Sequence, residues 1–321
     1  MVLKTVTILL WFAASYAALV FFSTEWWHGV LASISLGLSI AGIGFAIQHD
    51  ANHGAYSSNP GSNRLLSRTL DFLGASSYVW GWKHNVLHHT WTNIEGSDSD
   101  VELGVIGRLA PLQKRYWFHR FQQYYLWLAY GLVAPKWQIW DDFYNLATAR
   151  ISKHPIVRGG WGTVVGVILG KLVFAGWAIV IPLCYHPFWQ VVAFSALTWG
   201  FMGIVLSVVF QLAHCVEEAE FQDARAAAKN PALPWAEHQL RTTVDFAQGN
   251  PILTWYLGGL NYQVEHHLFP RICHLHYPRI ARIVRETCAE FGVPYSANPG
   301  FFSAIASHYR WLRRMGRPQA A

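Results

Sequence analysis

"FWQVVAFSALTWGFMGIVLSVVFQLAH", residues 188–214, is apolar and carries no Asp, Glu, Lys or Arg before it ends in a histidine. A helix of about 20 such residues is long enough to cross the hydrocarbon core of a bilayer. Three other stretches have the same character, so the sequence predicts spans at about residues 5–23, 29–48, 161–184 and 188–212. We expect an all-α integral membrane protein whose four transmembrane helices pair as two hairpins.

The composition agrees with a membrane protein. Hydrophobic residues make up 53% of the chain and charged residues only 13%, about half of the roughly 25% that is usual for soluble domains. Aromatic residues reach 16%, and Trp and Tyr favour the membrane boundary. The net charge of +6 does not indicate nucleic-acid binding, because the basic runs are as short as "RWLRRMGR" at 310–317. The four cysteines lack the paired spacing of a zinc site or a disulfide scaffold, so we expect reduced thiols.

The basic residues predict the orientation. Of the 24 Lys and Arg residues, Lys171 is the one inside a predicted span, and the turns "TEWWHG" at 24–29 and "YHPFWQ" at 185–190 carry none. The positive-inside rule then places both termini and residues 49–160 and 213–321 in the cytoplasm, as a helical cap within a single domain, 1–321. A signal peptide explains the first span less well, since its removal would leave an odd number of spans. Residues 112–143 mix apolar and polar side chains as an interfacial helix does.

Three histidine clusters follow the apolar segments: "HDANH" at 49–53, "HNVLHH" at 84–89 and "QVEHH" at 263–267. Histidines four residues apart share one face of an α-helix, and His89 is turned about 100° from His88. His214 stands just past the fourth span. The predicted topology brings eight histidines to the cytoplasmic ends of the spans: His49, His53, His84, His88, His89, His214, His266 and His267.

Eight imidazoles indicate a metal centre, because neutral imidazole is the commonest metal ligand and buried ring nitrogens need partners. A single zinc site would use three or four of them, so we expect two ions. Imidazole suits Fe, Cu and Zn, and two irons able to activate dioxygen are the most economical interpretation. Haem would need histidines inside the spans. The remaining histidines are expected to be ordinary hydrogen-bonded side chains: His28, His119, His154, His186, His238 and His308.

The motifs "HDANHG", "HNVLHHTWTN" and "GGLNYQVEHHLFP" at 258–270 closely resemble the three histidine boxes of membrane-bound fatty acid desaturases. The resemblance runs from the first span to about residue 290. It implies a non-haem di-iron site that uses dioxygen and two electrons to remove two hydrogens from an acyl chain, with the eight histidines as iron ligands. Gln263 stands where many members have histidine, as in the front-end branch, and its binding to iron directly or through water is left open.

Polar residues near the boxes are predicted to have supporting roles. Asp50, Asn261 and Glu265 are predicted to support catalysis, because carboxylates and amides commonly orient ligating imidazoles. Asp98, Asp100, Glu217 and Glu218 are further candidates for the same role, or are ordinary solvated side chains.

The resemblance also predicts partners. The sequence shows no His-Pro-Gly-Gly haem loop, dinucleotide fingerprint or iron-sulfur motif, so we expect a separate ferredoxin or cytochrome as electron donor. An arginine cluster would dock an acidic donor, anionic lipid or the phosphates of an acyl carrier: Arg279, Arg282, Arg285, Arg310, Arg313, Arg314 and Arg317. The fatty acyl substrate would be carried by coenzyme A, a lipid or a carrier protein.

Other functions stay open at this stage. The same di-iron site would also serve an acyl hydroxylase, epoxygenase or acetylenase, because the oxidant is shared. A hydrolytic di-zinc membrane enzyme is a more distant alternative. A metal transporter or haem carrier would place histidines along a path through the bilayer, and the predicted spans carry none at mid-depth.

Overall fold

The computed structural model describes residues 1–224 and 233–318, which are mostly helical. Four helices are long and apolar enough to cross a membrane: span 1, Val2–Phe22; span 2, Trp26–Asn52; span 3, Trp161–Leu183; and span 4, Phe188–His214. The four predicted spans are thereby confirmed as helices. Spans 2 and 4 extend beyond their predicted ends, because the backbone stays helical after the apolar side chains stop. The predicted cytoplasmic segment 213–321 includes residues 225–232 and 319–321, which lie outside the described ranges.

Most of the other helical segments are short. They are Pro60–Ser67, Thr69–Phe72, Ser77–Trp80, Gly81–His88, His89–Trp91, Ser99–Val101, Trp117–Phe121, Gln122–Ala129, Tyr130–Leu132, Val133–Lys136, Trp137–Asp141, Asp142–Thr148, Trp235–Thr242, Pro251–Tyr256, Gln263–Leu268, His274–His276, Tyr277–Phe291 and Phe301–Gly316. Strands contribute little. Two-residue bridges pair Ile94–Glu95 with Gln222–Asp223 in parallel, Arg150–Ile151 with His154–Pro155 in antiparallel, and Asp245–Phe246 with Ala297–Asn298 in parallel.

The chain forms two compact units that alternate along the sequence. Unit 1 comprises Met1–Gly81, Tyr130–Ala149 and Ile156–Ser207, and unit 2 comprises Trp82–Ala129, Arg150–Pro155 and Val208–Ala321. Unit 1 therefore holds the first histidine box and most of the four spans. Unit 2 holds the second box, the last turns of span 4 and the third box. The single-domain organisation stays a prediction.

Hydroxyl groups and small residues join the spans within unit 1. The indole of Trp11 donates to Ser35 Oγ over 2.9 Å, and Tyr16 donates its hydroxyl to the carbonyl of Trp177 over 2.6 Å. A Cβ atom built on Gly29 would lie 2.5 Å from the ring of Phe194. The glycine therefore lets spans 2 and 4 approach closely, as small residues do in membrane helix pairs.

The cation inside span 3, Lys171, is compensated by three acceptors. Lys171 Nζ donates to the carbonyls of Gly74 (2.6 Å) and Gln138 (2.7 Å) and to Asp142 Oδ2 (2.6 Å). The same carboxylate oxygen accepts the backbone N–H of Ser76 over 2.8 Å. Because an uncompensated charge is costly inside a membrane, this network explains how span 3 tolerates a lysine.

The segment predicted as an interfacial helix is a chain of short helices rather than one. It runs from Trp117–Phe121 to Asp142–Thr148 with 3₁₀ and π turns in between. Large apolar side chains on it stay exposed, among them Leu128 at 77% and Ile139 at 73%. Such exposure suits a segment lying against lipid, and its location in the membrane interface stays a prediction.

Candidate metal centre

The second histidine box lies on a π-helix, Gly81–His88, followed by a helical turn, His89–Trp91. The sequence interpretation assumed an α-helix and turned His89 away from His88. A π-helix has wider turns, with hydrogen bonds from residue i to i+5, and is frequent at functional sites. The ring of His84 accordingly lies 5.3 Å from that of His88 and 4.9 Å from that of His89, between centroids. The wider turn brings all three rings to one face.

Six histidines of unit 2 converge in three overlapping groups. Ring nitrogens of His88, His214 and His267 all lie within 4.8 Å of one another, and so do those of His89, His266 and His267. His84 joins His88 and Asp100 at the same spacing, and the six histidines are buried. The second box, the end of span 4 and the third box therefore meet, as the sequence predicts. The spacing is short enough for shared metal ions.

His88 is oriented by a carboxylate. Its Nδ1 lies 3.0 Å from Oδ2 of Asp98, and both side chains are fully buried. Burial lowers the pKa of His88, but the Asp98 and Asp100 carboxylates outweigh this effect and hold that pKa above its usual value. Nε2 of His88 is buried and has no hydrogen-bond partner among the residues that the structure describes. This combination of an anchored Nδ1 and an open Nε2 is typical of a metal-ligating histidine.

His267 repeats the arrangement with an amide. Its Nδ1 lies 2.8 Å from Oε1 of Gln239, which also accepts the hydroxyl of Thr92 over 3.0 Å. Burial, helped by the neighbouring His89 and His88, holds the pKa of His267 well below its ordinary value, so the ring is neutral. Its Nε2 is likewise buried without a hydrogen-bond partner within the described ranges. The donor set thus fits metal ions that prefer neutral imidazole.

Gln263 lies beside the same group of ring nitrogens. Its amide nitrogen is 3.0 Å from Nε2 of His214, so the third box begins with an amide in contact with a histidine at the end of span 4. His266, on the same short helix, has Nδ1 3.3 Å from the hydroxyl of Tyr277. Tyr277 anchors this ring as Gln239 anchors that of His267.

The first box lies at the end of span 2 in unit 1. The rings of His49 and His53 are 4.8 Å apart and both are buried. The ring of Trp80 lies 5.6 Å from that of His49 and 5.9 Å from that of His53. Asp50 lies between them in the sequence and is buried, with 2% of its surface exposed. The helical spacing therefore places the two imidazoles on one face, as predicted.

Glu265 and Asn261 hold the third box through contacts of their own. Tyr295 donates its hydroxyl to Asp245 over 2.6 Å and lies 3.1 Å from Glu265, and Asp245 accepts the backbone N–H of Val264 over 2.8 Å. Burial and the adjacent Asp245 carboxylate raise the pKa of Glu265. Asn261 donates to Thr254 Oγ1 over 2.9 Å. These bonds brace the box 3 helix, and the catalytic role of both residues stays a prediction.

Two acidic residues near span 4 bind the C-terminal helix. Glu217 pairs with Arg310, and Glu218 accepts the hydroxyl of Ser307 over 2.6 Å. Five of the histidines expected to be ordinary contact backbone carbonyls through one ring nitrogen: His119, His154, His186, His238 and His308. His28 contacts Thr24.

Sequence reasoning missed Gln239, Thr92, Tyr277 and Asp245. Thr92 stands near the end of the "HNVLHHTWTN" motif without a predicted role, and the other three lie outside the histidine boxes, 11 to 28 residues from the residues that they contact. Their residue types are the one sequence feature that could have indicated this role, because amides, hydroxyls and carboxylates are the usual partners of ligating imidazoles.

Comparison with known proteins agrees with this geometry. The family model "Fatty acid desaturase" matches residues 24–299. The chain is 41% identical to the sn-1 linoleoyl-lipid 6-desaturase of Arthrospira platensis, over 98% of this chain and 85% of that protein. It is 39% identical to the protein of the same name from Synechocystis sp., over 99% and 89%. The acyl-lipid (8-3)-desaturase of Physcomitrium patens is 35% identical over 98% and 66%. The chain belongs to the fatty acid desaturase family and is an oxidoreductase that desaturates fatty acyl chains.

Proposed function

We propose that this desaturase acts on the linoleoyl chain of a membrane lipid and introduces a double bond at position 6. The observation that carries the proposal is that the relatives at 41% and 39% identity, each aligned over nearly the whole chain, bear the name linoleoyl-lipid 6-desaturase. Relatives at 35% are named for a different position, so the position is the part that the experiment must decide. The front-end form of the third box, with Gln263 in first place, is consistent with this class.

The reaction removes two hydrogens from a pair of adjacent methylenes and leaves one cis or trans C=C bond. It consumes one dioxygen, two electrons and two protons, and the oxygen leaves as two waters. We propose that two iron ions are held by the eight histidines, with Gln263 beside them. Iron bound there would supply the activation of dioxygen. The open Nε2 atoms of His88 and His267 support this assignment in unit 2. For His49 and His53 the support is the box motif and their shared helix face.

The chain itself supplies orientation and exclusion of water. Asp98 and Gln239 hold two of the rings by Nδ1, so that the opposite nitrogens face the group of ligands. The surrounding side chains are buried, which keeps competing water away from the reacting atoms. Holding one methylene pair at the metals then selects the bond that is oxidised.

We further propose that both termini and the histidine boxes face the cytoplasm and that the spans pair as two hairpins. The support is the distribution of Lys and Arg along the sequence. Exposed aromatic side chains lie where spans 2 and 4 begin, with Trp26 at 74% and Trp189 at 67% exposure. Trp is favoured at membrane boundaries, so these residues are suited to anchor the protein at the membrane boundary opposite the cytoplasm.

Electrons would come from a separate ferredoxin or cytochrome. Arg279 and Arg282 lie exposed on the helix Tyr277–Phe291, which follows the third box after the 3₁₀ turn His274–His276. Arg285 is partly engaged, since it donates to Gln248 over 2.6 Å, and Arg310 pairs with Glu217. The exposed arginines are therefore the better candidates for binding an acidic donor.

The test is lipid analysis of cells that express the protein, supplied with linoleate. We would compare wild type, His88→Ala and the matched control His28→Ala by gas chromatography with mass spectrometry, after separating lipids from the acyl-CoA pool. The expected result is a new double bond at position 6, first in lipid, with wild type and His28→Ala and none with His88→Ala. A bond at another position, or a product that appears first in the acyl-CoA pool, would contradict the substrate assignment.

A further inference from the structure

Asn93 has an unusual backbone conformation in a buried position. It follows the second histidine box, none of its surface is exposed, and its φ is +53°. Among L-residues, Asn is one of the few that adopt this left-handed region readily, because its short side chain can bond locally. In this protein the side chain bonds to distant segments, so local turn chemistry does not account for it.

The amide of Asn93 caps the end of span 4. Its Nδ2 lies 2.9 Å from the carbonyl oxygen of His214, 3.1 Å from that of Glu220 and 3.2 Å from that of Thr242. His214 is the last residue of span 4, and the final carbonyls of a helix have no donor within that helix. One side chain therefore holds the backbone of a histidine in the metal centre.

The backbone of Asn93 reaches a second histidine through a shared oxygen. Its N–H donates to Oδ2 of Asp98 over 3.0 Å, and Nδ1 of His88 lies 3.0 Å from that same oxygen. His88 and His214 belong to one group, with ring nitrogens within 4.8 Å of each other. Asn93 thus contacts the backbone of one histidine and the carboxylate that orients the other.

We infer that Asn93 is a positioning residue that fixes the distance between the ligands His88 and His214. The inference rests on the proposed iron function, because it concerns two of the proposed ligands. Asn93 touches neither metal nor substrate and acts through a carbonyl and a carboxylate. Loss of its amide would remove the donor that holds the carbonyl oxygen of His214 at the end of span 4. The ring of His214 would then no longer be held at the spacing that one ion requires.

Two substitutions separate the side chain from the backbone. Asn93→Gly keeps the left-handed φ accessible and removes only the amide. Asn93→Asp keeps the size and turns the donor into an acceptor facing three carbonyl oxygens. The control is Ala149→Gly at another left-handed residue, with φ +51°, whose backbone partners are Asn145 and Ile156.

Purified proteins would be titrated with Fe(II), following the iron bound per chain and the Mössbauer spectrum of the ⁵⁷Fe-loaded form. We expect both Asn93 variants to bind iron roughly 10- to 100-fold more weakly, the usual effect of losing a partner that orients a ligand, with an altered spectrum for part of the iron. Ala149→Gly should match wild type. Wild-type affinity and spectrum in both Asn93 variants would overturn the inference. A wild type that binds no iron would instead refute the proposed function.

Hydrogen exchange of the wild type decides the matter if neither variant folds. Iron loading is expected to protect the amides of residues 92–98 and 215–220 together, because neither range holds a proposed ligand and Asn93 contacts Asp98 in one and Glu220 in the other. Protection of one segment without the other would overturn the inference.

Discussion

His267 and His89 belong to different histidine boxes, yet one side chain contacts both. Oε1 of Gln239 lies 2.8 Å from Nδ1 of His267, and its amide nitrogen lies 3.3 Å from the carbonyl of His89. An acceptor at Nδ1 fixes the tautomer of a histidine and leaves Nε2 available as a ligand atom. Gln239 therefore selects the form of His267 that can bind a metal while holding the two boxes together.

The first prediction concerns this amide. Gln239→Leu removes the acceptor for His267 Nδ1, and we expect iron affinity to fall roughly 10- to 100-fold. Gln239→Glu keeps an acceptor at the same place and should retain more of the affinity. Iron titration of the purified variants measures both. Equal affinity for the Leu and Glu variants would show that the acceptor does not matter.

Acid stability supplies a second prediction. His308 is buried with its Nδ1 2.6 Å from the carbonyl of Cys215, and burial lowers its pKa to about 4. The unfolded chain, with an ordinary histidine pKa near 6.5, takes up this proton first as the pH falls. His308 therefore makes its full contribution to the free energy of unfolding above about pH 6.5. This contribution declines as the pH falls and is lost near pH 4, a total loss of up to about 3 kcal/mol.

Thermal unfolding in detergent from pH 7 to pH 4 measures this effect. His308→Asn can still donate to the carbonyl of Cys215 but does not titrate, so its melting temperature should fall less steeply over the range. Parallel curves for the two proteins would assign the acid sensitivity to other groups.

The third prediction concerns the ion pair of span 3. Lys171→Met leaves the Asp142 carboxylate buried without its cation, so we expect a loss of about 3–5 kcal/mol of stability. Lys171→Met combined with Asp142→Asn removes both charges and should recover part of it. Melting of the purified variants distinguishes the cases, with Lys171→Arg as the conservative control. A double variant no more stable than the single one would show that the carboxylate is not the source of the loss.

Electron delivery gives the fourth prediction. Reversing charge at Arg279 and Arg282 should raise the KM for a small acidic electron donor and make the reaction less sensitive to salt, with kcat at saturating donor retained. Arg64→Glu, at an exposed arginine on the helix Pro60–Ser67, is the control. Steady-state rates at several donor concentrations separate the two constants. A lowered kcat with unchanged KM would argue against docking at these arginines.

The sequence allowed prediction of the spans and of the histidine positions, because both follow from local patterns: long apolar runs and histidines at helical spacing. The π-helix at Gly81–His88 was not predictable, since no residue in "GWKHNVLH" marks the wider turn. Gln239 and Asn93 were missed for another reason. Asn93 contacts His214 and Thr242 at separations of 121 and 149 residues, and one sequence records no such pairing.

Lys171 also bears on how the chain is made. A lysine near the middle of an isolated helix costs about 2.5–3.5 kcal/mol during insertion by the translocon, and span 3 buries only 11% of its most apolar window within the protein. Gly74, Gln138 and Asp142, the three acceptors of its ammonium group, all precede it in the sequence. The ribosome therefore synthesises all three acceptor residues before Lys171. They are available to bind the ammonium group as soon as span 3 inserts.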